Sequence, residues 1–223
     1  RRSSDLEIDA GTYYVWYKVD GDDNHNDTGT EFVQVTIAQA SIADAVVTLS
    51  STSLDYTGSE QSVSVTSVKL REKMLTADTD YEVSGETTGT NKGTYTVTVT
   101  GKGNYKDTAK AQWTIDQMIP TITTVPTATA ITYGQTLKDS TLSGGVAKNG
   151  NAEVAGTFTW KDSTIAPAVS DSETTEYDVV FTPTDTENYG TAECKVKLTV
   201  NPASEPEDTS DGDATFTPGD AES

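Results

Sequence analysis

The sequence predicts an all-β chain built from tandem β-sandwich modules, and three observations carry this prediction. Hydrophobic residues make up only 34% of the chain, while Thr, Ser, Val and Tyr are abundant, a composition that favours strands over helices. Short segments alternate between apolar and polar residues, the period of a half-buried strand. One hairpin pattern also occurs three times along the chain.

In each copy of the pattern a Tyr-led strand runs into an Asn-aromatic turn, and a second alternating strand returns. The three turns contain Asn24, Asn104 and Asn188, which lie 80 and 84 residues apart. This spacing exceeds the roughly 20 to 50 residues of a solenoid repeat and matches a small domain. We therefore expect two complete modules and part of a third before them.

Residues 1–40 are predicted to form the last hairpin of the partial module. Alternate residues share one face of each strand: Tyr13, Val15, Tyr17 and Val19 on the first, and Val33, Val35 and Ile37 on the second. Such a hairpin is marginal without further strands. Because the chain opens inside a module, we expect it to be a piece of a longer protein whose targeting signals lie elsewhere.

The first complete module is predicted over residues 41–117. Its expected strands are residues 46–49, 54–57, 62–70, 80–84, 94–100 and 110–115, separated by Gly- and Asp-containing turns. Trp113 alternates in step with Ala111 and Ile115, so we expect its ring in the core.

The second complete module is predicted over residues 118–202, with strands at residues 131–133, 154–160, 177–182 and 192–200. Cys194 is the only cysteine, so no intrachain disulfide forms, and its inward parity predicts a small buried hydrophobe. Residues 203–223 contain seven acidic residues and no basic one. We expect this segment to be a disordered acidic linker or tail.

The formal net charge of −20 and the absence of a basic stripe argue against nucleic acid as a partner. No run of 18 apolar residues is present, so no membrane insertion is expected in this chain. We expect a monomer.

The turn of the first hairpin carries a possible calcium motif. Asp20, Asp22, Asn24 and Glu31 stand at positions 1, 3, 5 and 12 of a calcium-loop spacing. His25 replaces the glycine that such a loop needs at its sixth position, and strands flank the turn where helices should. We therefore expect no cofactor and an ordinary solvated turn, with calcium as the alternative.

The residues do not predict an enzyme. His25 is the only histidine, which removes Ser-His and Cys-His nucleophile systems and most zinc sites. It occupies the place of Tyr105 and Tyr189, so we expect its ring to pack in the turn. The acidic residues form no distinctive pair for glycoside hydrolysis. An isopeptide bond is also not favoured, because Lys110, Lys195 and Lys197 have outward parity.

Several sequence blocks resemble a known family. Residues 80–85 (DYEVSG) and 93–105 (GTYTVTVTGKGNY) resemble Ig-like repeats of large surface proteins of gut Firmicutes. Residues 131–134 (ITYG) and 181–189 (FTPTDTENY) resemble the bacterial MBG domain of the Tyr-Gly-X type. The resemblance covers nearly everything before residue 202. It implies tandem Ig-like β-sandwich modules of a secreted or wall-anchored, adhesin-like protein, and it carries over no catalytic residues.

Function is therefore expected to be that of a non-catalytic stalk, spacer or adhesion module at the cell surface or cell wall. Tyr14 and Trp16 alternate with the inward face of their strand, which makes them the best candidates for contact with a host glycan or protein. Neighbouring modules of the same chain are the other candidate partners. The alternative function is an accessory binding module of a secreted multidomain hydrolase, and the alternative role of the aromatic pair is packing against strands of its own module.

Overall fold

The computed structural model describes residues 8–204, which form strands, turns and two single-turn 3-10 helices. Two compact units are present. Unit 1 contains Arg1–Ile119 together with Asp185–Gly190, and unit 2 contains Pro120–Thr184 together with Thr191–Ser223. The module bounds predicted above stay predictions, and the predicted tail falls outside the described residues from residue 205 onward.

The strands of unit 1 are β1 (Gly11–Tyr17), β2 (Glu31–Ile37), β3 (Ala40–Ser41), β4 (Val46–Leu49), β5 (Ser53–Asp55), β6 (Gln61–Ser62), β7 (Val65–Leu70), β8 (Lys73–Met74), β9 (Tyr81–Gly85), β10 (Thr88–Gly89), β11 (Gly93–Gly101), β12 (Tyr105–Lys106) and β13 (Thr108–Asp116). In the longest pair, β11 alternates Tyr or Val with Thr, and β13 alternates Ala, Trp and Ile with polar residues, so one face of each strand is apolar.

Two sheets form the main body of unit 1. One sheet has the order β5-β13-β11-β9 and the other β4-β7-β8. Strand β5 runs parallel to β13, whereas the other pairs are antiparallel. Leu49 from the second sheet shares a cluster with Val97 and Trp113 from the first, so the core lies between the sheets. The predicted β-sandwich and the buried position of Trp113 are confirmed.

Strands β1 and β2 form a separate antiparallel sheet in full register, from Gly11 opposite Ile37 to Tyr17 opposite Glu31. Its two faces differ little in exposure. Val15, Val33 and Val35 on one face are as open to solvent as the aromatic residues on the other. Around Val15, Val33 and Val35 the predicted inward face of the hairpin is therefore open to solvent, whereas Tyr13 and Ile37 at its other end are half-buried.

The strands of unit 2 are β14 (Thr121–Thr124), β15 (Thr127–Ala128), β16 (Ile131–Thr132), β17 (Leu142–Ser143), β18 (Val146–Asn149), β19 (Ala152–Glu153), β20 (Gly156–Trp160), β21 (Tyr177–Pro183), β22 (Ala192–Val196) and β23 (Val200–Asn201), with 3-10 helices at Leu137–Asp139 and Val169–Asp171. They pair as β14-β18-β19, β15-β17, β16-β23 and β20-β21-β22.

The core of unit 2 collects apolar side chains from strands, from the first 3-10 helix and from the connection between β22 and β23: Ile131, Leu137, Tyr177, Leu198 and Val200. Strands β16 and β23 are parallel neighbours, with Ile131 opposite Val200. None of the described residues forms a helix long and apolar enough to cross a membrane.

Candidate functional site: the aromatic face of the first hairpin

Three aromatic rings lie together on one face of the β1–β2 hairpin. The register places Trp16 opposite Phe32, and Tyr14 lies two residues before Trp16 on the same side of β1. The ring centroids of Tyr14 and Phe32 are 5.3 Å apart in an edge arrangement, and those of Trp16 and Phe32 are 5.0 Å apart. The rings therefore form one cluster, which we call the aromatic face.

The aromatic face is open to solvent. Tyr14, Trp16 and Phe32 keep 52%, 63% and 52% of their surface exposed. Sequence parity had selected Tyr14 and Trp16 but missed Phe32, because its position depends on which residue of β2 lies opposite Trp16. An exposed set of adjoining rings can stack on an apolar sugar face or anchor a protein contact.

The acidic turn after β1 is held by ion pairs and hydrogen bonds. Lys18 Nζ lies 2.6 Å from Asp27 Oδ2 and 2.9 Å from Asp20 Oδ1. The hydrogen bond to Asp27 is the largest cause that raises the pKa of Lys18, and the hydrogen bond to Asp20 is the second. The Lys18–Asp27 contact also lowers the pKa of Asp27. Two of the acids around the turn are therefore already paired with a cation.

The remaining candidate calcium ligands have other partners. Asp22 Oδ1 lies 2.7 Å from His25 Nδ1, and this contact lowers the pKa of Asp22. Glu31 Oε2 accepts a hydrogen bond from the Tyr17 hydroxyl at 2.9 Å. Among residues 8–204, no group of three or more His, Cys, Asp or Glu side chains is arranged to hold a metal ion. Calcium binding through Asp20, Asp22, Asn24 and Glu31 stays the untested alternative to an ordinary solvated turn.

His25 does not pack as the sequence predicted. Its side chain is 76% exposed, whereas Tyr105, at the equivalent place in the second copy, is buried. The physical reason is local: the imidazole bonds to the Asp22 carboxylate beside it, and no core lies beneath this turn among the described residues.

Cys194 lies on β22 opposite Val179 and is half-buried. Burial raises the pKa of its thiol, so the thiolate that would act as a nucleophile is disfavoured. Lys110, Lys195 and Lys197 are exposed, as their parity predicted.

Among known proteins, similarity is found to solved structures. No family model matches the chain, and a search of curated proteins finds no match. A search of solved structures finds similarity to the Sidekick-1 immunoglobulin domains 1–5, at 14% identity and a TM-score of 0.25. The match covers 87% of this chain and 46% of that chain, so this chain spans less than half the length of that structure. Residues 8–204 are all-β, and in unit 1 two sheets pack face to face.

Proposed function

We propose that this chain is a non-catalytic stalk or adhesion segment of a bacterial cell-surface protein, located outside the cell or in its wall. One observation carries the proposal: the same Tyr-led hairpin and Asn-aromatic turn occur three times, and two copies lie in packed β-structure. Repeated small β-modules joined by short linkers act as spacers that hold a binding surface away from its anchor. The resemblance to Ig-like and MBG repeats supports the same role.

The adhesive part of the proposal concerns the aromatic face. Aromatic side chains dominate recognition surfaces because they bury a large apolar area at low entropic cost. The ligand class that we propose is a host glycan or a glycoprotein. The alternative is that the face packs against other strands, in which case the chain is a spacer alone.

A glycan array and a mucin pull-down with the full chain test the adhesive role. Trp16→Ala should abolish any binding, and Tyr14→Ala should weaken it. Tyr133→Ala is the matched control, since Tyr133 is 59% exposed, belongs to unit 2 and is not part of the aromatic face. Equal loss in Trp16→Ala and Tyr133→Ala would contradict a site at Tyr14 and Trp16, and no binding by the wild-type chain would leave the spacer role.

The second candidate is an accessory module of a secreted multidomain hydrolase. The observation that favours it is again the aromatic face, because exposed, adjoining rings suit an insoluble polysaccharide as well as a host glycan. Binding to cellulose, xylan or chitin with no binding to mucin would support this candidate. Binding to mucin alone would support adhesion.

A further inference from the structure

Two of the three Asn-aromatic turns form a hydrogen bond with the residue just before the first strand of the preceding hairpin copy. In both turns the accepting atom is the side-chain Oδ1 of the asparagine. Asn104 Oδ1 accepts a hydrogen bond from the backbone N–H of Ala10 at 2.5 Å. Asn188 Oδ1 accepts one from the backbone N–H of Lys92 at 2.7 Å. In each case the donor directly precedes the glycine that begins a Tyr-led strand. All of these residues belong to unit 1.

The backbone of each asparagine makes a second equivalent contact. The carbonyl of Asn104 accepts from the N–H of Ala40 at 2.9 Å, and the carbonyl of Asn188 accepts from the N–H of Met118 at 3.0 Å. Ala40 follows β2 and Met118 follows β13, the closing strands of the first and second hairpin copies. The turn is therefore held by both strands of the preceding hairpin.

A glutamine completes each set of contacts. Gln39 Nε2 donates to the carbonyl of Gly103 at 2.9 Å, and Gln117 Nε2 donates to the carbonyl of Glu187 at 3.1 Å. Each accepting carbonyl belongs to the residue before the turn asparagine.

The two glutamines occupy the same register position. Gln39 lies two residues after Ile37, which is opposite Gly11, and Gln117 lies two residues after Ile115, which is opposite Gly93. The same three hydrogen bonds thus recur between equivalent atoms of two segments that differ in sequence. Chance surface contact does not repeat in this way.

The asparagine side chains are suited to a specific contact. Asn188 is one of the few buried polar residues of the described chain, and its Nδ2 also donates to Asp185 Oδ2 at 2.9 Å. Asn104 Nδ2 donates to Asp9 Oδ1 at 2.7 Å. A buried amide that lost these partners would incur a desolvation cost, so the contacts select asparagine at this position.

We propose that the turn asparagine, its backbone carbonyl and the partner glutamine form an Asn–Gln clamp, by which the turn of one hairpin copy binds the hairpin copy before it. The partner that the turn fits is therefore another β-repeat of this kind, with a free N–H before its Tyr-led strand and a glutamine two residues after the position that pairs with the first residue of that strand. This role is independent of adhesion.

The third hairpin copy does not offer such a receiving site. The N–H of Thr174, equivalent to those of Ala10 and Lys92, already donates to the carbonyl of Asp171 at 3.1 Å. Buried Val200 stands where the receiving glutamine would be. The clamp is thus specific to two of the copies in this chain, and a second copy of the chain gains no receiving site from unit 2.

Amide hydrogen exchange of the full chain, followed by NMR, tests the clamp. Asn104→Ala should speed exchange of the Ala10 N–H on the order of tenfold and leave Lys92 unchanged, because one hydrogen bond is removed locally. Asn188→Ala should do the reverse. Asn24→Ala is the matched control: its side chain meets no receiving site among the described residues, so neither amide should change.

The glutamines provide variants that leave the turn asparagines in place. Gln39→Ala should speed exchange at Ala40 more than at Met118, and Gln117→Ala the opposite. Unchanged protection of Ala10 in Asn104→Ala and of Lys92 in Asn188→Ala, with native spectra, would overturn the clamp. The clamp would also be overturned if exchange of all amides of unit 1 became faster to the same extent, since this would report a loss of global stability and not a local contact. Neither result bears on glycan binding.

Discussion

Trp113 shows how one side chain ties two elements of unit 1 together. Its ring is fully buried and stacks on Tyr95 with centroids 4.6 Å apart, and its indole N–H donates to the carbonyl of Glu86 at 2.8 Å. The aromatic pair fills the space between the sheets, while the hydrogen bond satisfies a carbonyl in the connection between β9 and β10. Both contacts therefore depend on a residue that sequence parity placed in the core.

We expect Trp113→Phe to lower the free energy of unfolding of unit 1 by about 1–3 kcal/mol, because the Glu86 carbonyl loses its donor and a cavity remains. Urea denaturation followed by circular dichroism measures this change. Trp16→Phe is the control and should change stability by less than about 0.5 kcal/mol, since Trp16 is exposed. Equal effects of the two substitutions would contradict the assigned core.

Cys194 gives a pH-dependent prediction at the same scale. Burial raises the pKa of its thiol, so at pH 8 the native chain holds less thiolate than the unfolded chain does. Labelling by a thiol reagent should therefore be slower in native buffer than in urea, and the ratio of the two rates should narrow as pH rises through the native pKa. The fold favours the neutral thiol. The contribution of Cys194 to the stability of the fold is therefore present below the pKa of the unfolded chain and is lost as pH rises through the native pKa. Equal labelling rates at pH 8 would contradict a shielded thiol.

At the scale of the element, the end of β9 depends on a glycine. Gly85 has a φ of +85°, and a Cβ added there would lie 2.7 Å from the carbonyl oxygen of Thr96 on the neighbouring strand β11. Gly58 has nearly the same φ, +83°, but an added Cβ would have only the Tyr56 hydroxyl within 4 Å, at 3.9 Å. Substitution of Gly58 therefore tests backbone strain alone, whereas substitution of Gly85 tests backbone strain together with steric overlap.

We expect Gly58→Ala to destabilise unit 1 by about 1–2 kcal/mol, the cost of a left-handed backbone for an L-residue. Gly85→Ala should cost clearly more, because the strand pairing of β9 with β11 must also shift. Thermal unfolding of the two variants under identical conditions compares them. A smaller loss of stability in Gly85→Ala than in Gly58→Ala would contradict a steric overlap between β9 and β11 at Gly85.

The long elements could be predicted from the sequence, whereas the short ones could not. Strands β11 and β13 were expected within two residues of their ends, because nine residues of alternation give a clear period. The sequence does not predict strands β14, β15, β17 and β18, because segments of two to four residues are too short to show a period. The expected strand at 192–200 is interrupted after Val196. Phe32 was missed because a strand's register is not visible in one sequence.

At the scale of the whole molecule, the formal net charge of −20 causes repulsion between acidic residues along the chain. The ion pairs of the described residues are exposed, so each contributes little to stability. Repulsion among the unpaired acids is therefore the larger electrostatic effect, and salt should relieve it.

We expect the melting temperature to rise when NaCl increases from about 10 mM to about 150 mM, since the screening length falls from about 30 Å to about 8 Å. Differential scanning calorimetry measures the shift, and KCl should give the same result. CaCl₂ at matched ionic strength also tests the calcium prediction. A larger rise that disappears in Asp20→Asn and Asp22→Asn would support a bound ion, and a fall in melting temperature with NaCl would contradict net repulsion.

The parallel pairing of β16 with β23 has a consequence for a chain that is pulled. Ile131 donates to the carbonyl of Thr199 and Tyr133 to that of Asn201, so an early and a late strand of unit 2 lie side by side and point the same way. Tension applied toward the two ends of the chain slides such neighbours past each other, so that both hydrogen bonds carry load together instead of opening one after the other. The same shear geometry occurs in unit 1 where β5 runs beside β13. In each unit the parallel pair therefore resists extension, because several of its hydrogen bonds must break together.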